Sequence, residues 1–302
     1  MGGDAAITLI GVPYSLGERN VSMGRGPTVL LEDERLAARL RALGHDVEVR
    51  WVDRDDAEPD EGLAIGDVMT KHLVQNRQLA ELVAQARAAG RAPIVLAGNC
   101  SSSIGVASGV RREGFGLVWI DAHPDSETPE TSITGLFDGM PVATIAGRCW
   151  KAWREQIPGF RVVPEDRIVT VGLHERHAPA DRRPYLYDAE PLGTPVDPPA
   201  VARKGFDGAL GAALDELAEQ TDAVYLHVDV DVLDPREANA SRYTAEGGLS
   251  VSQVVAAIEA VGRRFDVLAT SFADYDPDVD PRMAAVMARL VEAAAGIARA
   301  PA

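Results

Sequence analysis

The sequence has few cysteines, and it has fewer basic than acidic residues. Only Cys100 and Cys149 occur among its 302 residues, so no disulfide framework is indicated and a reducing compartment is expected. Lysine and arginine together number 30, against 46 aspartates and glutamates, which gives a formal net charge of −16. This acidic balance argues against nucleic acid or an anionic membrane surface as a partner.

Long hydrophobic runs are also missing. No apolar stretch approaches the length that crosses a bilayer. The opening segment, MGGDAAITLIGVPY, has neither the basic region nor the long apolar region of a secretory signal. With 46% hydrophobic and 25% charged residues, the composition is that of a globular protein with a sizeable core. We therefore expect a soluble cytoplasmic protein with no membrane partner.

Short apolar segments rich in valine, isoleucine and leucine recur along the chain, as expected for strands that are buried on both faces. They are AAITLIGV, DVEVRWV, APIVLAG, GLVWIDA, RIVTVGL, AVYLHVDVDV and VLATSFADY. Helical patterns lie between them, at 67–89, 250–263 and 282–299, and Ser250 or Ser252 could cap the second of these helices. This alternation predicts the α/β class, with a parallel sheet covered by helices on both faces.

The domain organisation is expected to be simple. The segment 177–199 is rich in proline and charge and reads as a surface excursion, not as a linker between domains. No internal repeat or low-complexity block is found. We therefore predict a single domain over residues 1–302.

Acidic residues cluster where two predicted strands end. Asp121, His123 and Asp125 alternate after one strand and therefore share a face, and Asp229 and Asp231 do the same after another. In open α/β sheets, ligands bind at the carboxyl ends of the strands.

Clustered carboxylates repel one another, so a cation between them is expected. Carboxylates together with one imidazole are suitable ligands for a divalent metal ion. Four aspartates carry enough negative charge to bind two such ions, and pairs of metal ions activate water. The alternative is that these aspartates are solvated turn formers or helix caps, which is the better reading of either cluster taken alone. Taken together at one edge of the sheet, the clusters favour a metal site.

The chain resembles the arginase (ureohydrolase) family. The resemblance is carried by GVPYSLGERNVSMGRGPTVLL, by DAHPD…TPETSITG…GMP, and by HVDVDVLDP…GGLS. It implies one three-layer αβα domain with a mostly parallel eight-stranded sheet and a manganese centre. It also implies a small cationic guanidino-type substrate, cleavage of its C–N bond by metal-activated hydroxide, and a homo-oligomer, either a trimer or a hexamer.

The same resemblance assigns the metal ligands. Five of the six ligand positions of the family correspond to Asp121, His123, Asp125, Asp229 and Asp231. The sixth, normally a histidine, corresponds to Cys100 in LAGNCS. A thiolate is soft where manganese prefers oxygen and imidazole, so we expect the Cys100 side to bind its metal weakly or not at all. One or two Mn²⁺ per chain are therefore expected; alternatively, Cys100 is only a small buried residue.

Further positions correspond to catalytic and substrate-contacting residues of the family. The catalytic candidates are Asp125, Asp138 and Asp274, and the substrate-contacting candidates are Glu127, Thr134, His177, Tyr243 and Asp274. Asp138, in LFDGMP, stands where arginases have a proton-shuttling histidine, and it could do the same work if its pKa is raised. Asp274 replaces a glutamate that faces the guanidinium group. An anionic Glu127 would repel a substrate carboxylate, which argues against a plain arginase.

Within the family, the chain is most similar to the hydroxyarginine hydrolase branch of D-cycloserine biosynthesis. This similarity rests on the cysteine, the TPET…TG…GM run and the tyrosine before GG. We therefore predict a manganese-dependent amidinohydrolase that releases urea or hydroxyurea from a guanidino or N-hydroxyguanidino compound. The alternatives are a non-catalytic relative with a decayed metal site, and an agmatinase-type or formimidoylglutamase-type hydrolase.

His227 either orients a metal ligand or is a satisfied core histidine.

Overall fold

The alternating apolar and amphipathic segments fold into a parallel sheet with helices on both faces. The computed structural model describes residues 5–32, 34–52, 68–175 and 189–299. Its strands are β1 (Ala6–Val12), β2 (Tyr14–Ser15), β3 (Glu18–Arg19), β4 (Asp46–Trp51), β5 (Ala92–Ala97), β6 (Gly116–Asp121), β7 (Ile168–Gly172), β8 (Thr194–Val196), β9 (Ala223–Asp229) and β10 (Asp266–Ala273). Its α-helices are α1 (Arg25–Leu31), α2 (Arg35–Ala42), α3 (Val68–Ala88), α4 (Ser103–Gly109), α5 (Pro141–Ile145), α6 (Lys151–Arg154), α7 (Pro198–Lys204), α8 (Phe206–Ala218), α9 (Val251–Arg264) and α10 (Met283–Ile297).

Within the described ranges, eight strands form one sheet in the order β4-β1-β5-β10-β9-β6-β7-β8. Every neighbouring pair in this sheet is parallel, and β2 and β3 form a separate antiparallel hairpin. The predicted α/β class with an eight-stranded parallel sheet is therefore confirmed. The last strand in sequence, β10, lies near the middle of the sheet, between β5 and β9.

The core is divided by the sheet into two apolar layers. Successive residues of β6 show the division, since Val118 and Ile120 pack on one side and Leu117 and Trp119 on the other. The first layer contains the apolar faces of α1, α2, α8, α9 and α10. The second contains those of α3, α4 and α5. The strands are buried on both faces because each layer of helices covers one of them, which is why their sequences are continuously apolar.

The three helices predicted from periodicity are present. They are α3, α9 and α10, and each predicted boundary lies within two residues of the observed one. Ser250 caps α9, since its side chain accepts a hydrogen bond from the N–H of Gln253 and the Gln253 side chain accepts one from the N–H of Ser250. Among the helices of the described residues, none combines the length and apolarity needed to cross a membrane.

One expectation about the segment 177–199 is wrong in part. Residues 176–188 lie outside the described residues, but Thr194–Val196 forms β8 and pairs with β7, so this stretch belongs to the sheet. Pro195 is tolerated there because β8 is an edge strand of the described sheet, where a missing N–H costs no ladder hydrogen bond on the open side.

Candidate active site

The acidic residues singled out in the sequence converge at the carboxyl end of the sheet. Five adjacent strands contribute side chains there. Asp121 ends β6 and Asp229 ends β9, while Cys100 follows β5, His123 and Asp125 follow β6, Glu175 follows β7, Asp231 follows β9 and Asp274 follows β10. Of the five aspartates, each is at most 8% exposed. Residues that are as far apart in sequence as β5 and β10 therefore meet because their strands are neighbours.

One group of possible metal ligands lies around His123. The ligand atoms of Asp121, His123 and Asp231 all lie within 4.8 Å of one another. The Nδ1 atom of His123 is 3.1 Å from Oδ2 of Asp231 and 3.3 Å from Oδ1 of Asp121. The other oxygen of Asp121 accepts a hydrogen bond of 2.8 Å from the indole N–H of Trp119, which fixes the orientation of the carboxylate.

A second set of groups lies on the side of Cys100 and Asp274. Ligand atoms of Cys100, Asp121 and Asp125 lie within 4.8 Å of one another, and so do those of Asp229, Asp231 and Asp274. The thiol of Cys100 donates to Oδ2 of Asp229 at 2.7 Å. Asp274, which the resemblance assigned to substrate contact, is therefore placed beside the candidate ligands themselves.

Two of these aspartates have an unusual backbone. Asp125 has a φ of 46° and Asp274 a φ of 68°, the left-handed region that residues other than glycine seldom adopt. Such a conformation costs about 1–3 kcal/mol and persists only where the surrounding structure holds it in place. The carbonyl oxygen of Asp125 accepts a hydrogen bond from the N–H of Val142, the second residue of α5, which contributes to this restraint. The strain falls on two residues that point into the cluster.

The buried acids shift one another's proton affinity. Burial, together with the neighbouring Asp229 carboxylate, raises the pKa of Asp121 to about 6. Burial first, and neighbouring carboxylates second, raise the pKa values of Asp125, Asp229 and Asp274 well above their usual range. Burial alone would lower the pKa of the His123 imidazole, but nearby carboxylates, led by that of Asp231, raise it well above its usual value. Both effects show that the cluster favours added positive charge.

The donor set fits a hard divalent cation on the His123 side. Carboxylate oxygens and an imidazole are ligands that manganese accepts. A divalent cation would also neutralise the excess negative charge of the clustered carboxylates. On the other side the donor set is less suitable, because sulfur is a softer donor than the oxygen and imidazole ligands that manganese prefers. Burial also raises the pKa of the Cys100 thiol well above its usual value. The described residues therefore fit manganese better around His123 than around Cys100.

Glu175 is a site residue that the sequence reasoning missed. Its carboxylate contacts Nε2 of His123, the ring nitrogen that faces away from Asp121 and Asp231. The backbone places it there: Gly172 has a φ of 109° and passes so close to the carbonyl of Asp121 that a Cβ would lie 2.4 Å from the oxygen. The available signal was its position three residues after the end of β7, at the same edge of the sheet.

We expect Glu175→Gln to weaken Mn²⁺ binding by roughly 10- to 100-fold, because an amide orients and polarises the His123 ring less well than a carboxylate does. Isothermal titration of the metal-free protein measures this change. Glu165→Gln is the matched control, since Glu165 precedes the same strand, is 45% exposed and pairs with Arg148. Equal manganese affinity in Glu175→Gln and the wild type would contradict the role of Glu175.

A cavity that is partly open to solvent leads to the cluster. Its lining includes ten of the residues predicted from the sequence: Cys100, His123, Asp125, Glu127, Thr134, Asp138, Asp229, Asp231, Tyr243 and Asp274. Asp121 is not among the lining residues, and His177 lies outside the described residues. Among the described residues that line the cavity, none is a lysine or an arginine. The cavity therefore favours a cation and disfavours an anion.

The outer wall of the cavity is formed by the loop that follows β6. The N–H of Glu127 donates to the carbonyl of Gly139, and a Cβ at Gly139 would lie 2.9 Å from Oε2 of Glu127, so the Glu127 carboxylate packs directly against this glycine. The Glu127 carboxylate accepts a hydrogen bond of 2.6 Å from Ser132, and burial raises the pKa of Glu127. Glu127 is therefore an acidic group held in a fixed position at the rim.

Asp138 also lines the cavity, directly before Gly139 in the chain. Its carboxylate accepts a hydrogen bond of 3.1 Å from the N–H of Ser101, directly after Cys100. Burial raises the pKa of Asp138 to about 6, although the hydrogen bond from Ser101 partly offsets the shift. An aspartate with this pKa can exchange protons close to neutral pH, which is the condition set for a proton shuttle at this position.

His227 is the remaining polar side chain at the base of the cluster. It is buried on β9, stacks on Trp119, and hydrogen-bonds to Ser271. Burial lowers the pKa of His227 to about 3, so the ring is neutral at physiological pH. Its Nε2 atom lies 3.2 Å from Sγ of Cys100, a contact that the sequence did not predict.

Comparisons with known proteins agree with this architecture. The sequence model described as "Arginase family" matches residues 5–296. The arginase of Bacillus caldovelox is 30% identical over 291 residues, covering 91% of this chain and 92% of that protein. Its solved structure superposes with a TM-score of 0.79 at 28% identity, covering 97% of this chain and 98% of that one. A solved arginase of Bacillus subtilis gives a TM-score of 0.80 at 26% identity, covering 97% and 99%.

Proposed function

Since the chain belongs to the arginase family, we propose that it is a manganese-dependent amidinohydrolase that cleaves the C–N bond of a guanidino or N-hydroxyguanidino compound. The observation that carries the proposal is the cavity, which is lined by acids, contains no described lysine or arginine, and ends on buried carboxylates and one imidazole. A planar cation such as a guanidinium group is the ligand that such a surface attracts. The products would be an amine and either urea or hydroxyurea.

Asp121, His123, Asp229 and Asp231 would hold the firmer manganese ion. Asp125 and Cys100 face a second position, where we propose that manganese binds weakly or not at all, because sulfur is a softer donor than the oxygen and imidazole ligands that manganese prefers. When bound, manganese would supply the positive charge that lowers the pKa of a water molecule, so that the water can lose a proton and attack an electrophilic carbon. Manganese content per chain at saturating Mn²⁺ measures the number of sites, and two tightly held ions would refute the one-metal proposal.

The residues of the chain supply the remaining functions. Asp274, whose carboxylate lies within 4.8 Å of those of Asp229 and Asp231 and faces the cavity, would accept N–H groups from the substrate cation. Asp138, with its pKa near 6, would move a proton between the reacting atoms and solvent. Burial of the cluster excludes bulk water, which strengthens both interactions.

The substrate is proposed to lack a carboxylate at the rim. Glu127 occupies the rim position as an acid, 3% exposed, so a substrate carboxylate would meet like charge there. Decarboxylated guanidino compounds such as agmatine avoid this repulsion, which favours the agmatinase-type alternative over a plain arginase activity. Tyr243, whose ring lies beneath the Arg242 guanidinium and which also lines the cavity, would pack against the aliphatic part of the substrate.

The direct test is a panel of arginine, N-hydroxyarginine, agmatine and formimidoylglutamate incubated with manganese-loaded protein, with release of urea, hydroxyurea or formamide measured. Turnover of at least one guanidino compound is expected. If manganese binds but no compound is turned over, the non-catalytic alternative is the better one. A homo-oligomer, trimer or hexamer, is proposed on the family resemblance alone, and analytical ultracentrifugation tests it.

We expect Glu127→Gln to lower the KM for arginine by about tenfold and to change that for agmatine by less than about twofold, because only arginine carries the carboxylate that Glu127 repels. Steady-state kinetics with both substrates measure the difference. Glu130→Gln is the matched control, since Glu130 lies in the same loop and is exposed. A parallel change for both substrates would show that Glu127 does not face the carboxylate.

A further inference from the structure

The position of His227 relative to Cys100 is unusual for a core histidine. His227 lies on β9 between its register partners Trp119 of β6 and Ser271 of β10, and it is 1% exposed. Its ring stacks on that of Trp119, with centroids 3.8 Å apart and planes inclined by 20°. This packing directs Nε2 toward Sγ of Cys100, which lies 3.2 Å away, after the end of β5 on the far side of β10.

The other ring nitrogen of His227 is held by two hydroxyl groups. Nδ1 lies 2.7 Å from Oγ of Ser271, which in turn lies 2.5 Å from the hydroxyl of Tyr225. Because a hydroxyl can accept as well as donate, Ser271 can accept a hydrogen bond from Nδ1–H, and the lone pair of Nε2 is then free. Metal-ligating histidines show this arrangement, in which the nitrogen away from the metal donates to an oriented acceptor.

Cys100 connects His227 to the carboxylate cluster. Its Sγ lies 2.7 Å from Oδ2 of Asp229, and the ligand atoms of Cys100, His227 and Asp229 all lie within 4.8 Å of one another. Cys100 and Asp229 also line the cavity, so an ion can enter from that side. One sulfur, one imidazole nitrogen and one carboxylate oxygen form a softer donor set than the oxygen-rich group around His123.

We propose that Cys100, His227 and Asp229 form a site for a borderline-soft divalent cation of the zinc type, which it binds in preference to Mn²⁺. Zinc accepts thiolate, imidazole and carboxylate ligands in a tetrahedral arrangement, and the cavity leaves a fourth position for water or substrate. Binding releases one proton, that of the Cys100 thiol, to solvent, and the sulfur then ligates the ion. The inference goes beyond the proposed function, because it concerns a metal choice that manganese-dependent hydrolysis at the His123 side does not require.

Cobalt(II) is the spectroscopic probe of this site, because a cobalt–thiolate bond gives a charge-transfer absorption that oxygen and nitrogen ligands do not give. Metal-free wild-type protein titrated with Co²⁺ is expected to develop this absorption. Zn²⁺ is expected to abolish it, whereas Mn²⁺ at the same concentration is not. Cys100→Ser should remove the absorption completely. Cys149→Ser is the matched control, since Cys149 is the other buried free thiol and lies outside all the candidate ligand groups, and it should leave the absorption unchanged.

His227→Gln separates a ligand from a packing role. If His227 is a ligand, the variant binds Co²⁺ at least tenfold more weakly and its absorption bands shift. If His227 only packs against Cys100, the affinity and the spectrum stay as in the wild type, and the proposal is overturned. The variant could fail to fold, so a crystal of the wild-type protein soaked in Zn²⁺ provides a second measurement. An anomalous peak between Sγ of Cys100 and Nε2 of His227 is expected, and a peak elsewhere or none would contradict the site.

The two proposals fail in different experiments. Hydrolysis of a guanidino compound by manganese-loaded protein that shows no cobalt–thiolate absorption would overturn the zinc-type site and leave the proposed function standing. The absorption without any hydrolysis would do the reverse.

Discussion

Asp229→Asn is expected to lower kcat/KM for any guanidino substrate by roughly 10³-fold or more, since losing a metal ligand removes several kcal/mol of transition-state stabilisation. Asp229 belongs to two of the candidate ligand groups, and the change to asparagine removes one negative charge from the cluster. Asparagine keeps the size of the side chain and an oxygen for the N–H of Asp231, which donates to Asp229 at 2.8 Å. Steady-state kinetics and metal content measured on the same sample test the prediction.

The stability of Asp229→Asn distinguishes loss of metal from misfolding. In the metal-free protein, burial and neighbouring acids raise the pKa of Asp229, so its ionised form is unfavourable in the folded state. Removing that charge should leave the metal-free melting temperature unchanged or higher, while the increase in melting temperature on adding Mn²⁺ should shrink. Asp278→Asn is the control, because Asp278 is exposed and pairs with Arg25 at the surface. A lower melting temperature in the metal-free variant would point to a purely structural role.

Asp138→Asn is expected to reduce kcat by about 10²- to 10⁴-fold while manganese content and KM change little, because a positioned proton carrier contributes that much to hydrolysis. Asparagine can still accept the hydrogen bond from the N–H of Ser101, so the local backbone should be retained. Asp166→Asn is the control, since Asp166 likewise lies in the middle of a three-residue 3₁₀ turn and is exposed. A loss of manganese in Asp138→Asn would mean that Asp138 acts on the metal site instead.

The pH profile provides a second test of Asp138. Burial raises its pKa to about 6, so the carboxylate is ionised above that pH and protonated below it. A group that takes a proton from the reacting water must be ionised, so the wild-type rate should rise with pH up to about 6. A bound cation favours the ionised form and would move this limb to lower pH. The limb should be absent from the residual activity of Asp138→Asn, and an unchanged limb would assign it to another group.

Much of the fold follows from local sequence pattern. Strands such as Ala92–Ala97 and Gly116–Asp121 are continuously apolar because helices cover both faces of the sheet, and this pattern identified the parallel architecture. The short edge strand Thr194–Val196 escaped because its proline and its length are typical of a loop, and only its pairing with β7 makes it a strand.

The candidate site likewise has one part that the sequence predicts and another that it does not. Alternation along one strand is a local property, so the sequence was sufficient to place Asp121, His123 and Asp125 on one face. The partners of these residues are not local: His123 meets Glu175, 52 residues later in the chain, and Cys100 meets His227 across 127 residues. Such contacts depend on which strands are neighbours.

The order of strands is decided by the connections between them, which local pattern does not encode. Because β10 returns to the middle of the sheet, Ser271 lies beside His227, and Asp274 lies beside Asp229. The sequence by itself determined the chemistry available at the edge of the sheet, namely carboxylates, one imidazole and a cysteine in place of a histidine. Only the tertiary structure decided that a second imidazole, that of His227, stands against the cysteine, since this contact arises from the packing of β9 between β10 and β6.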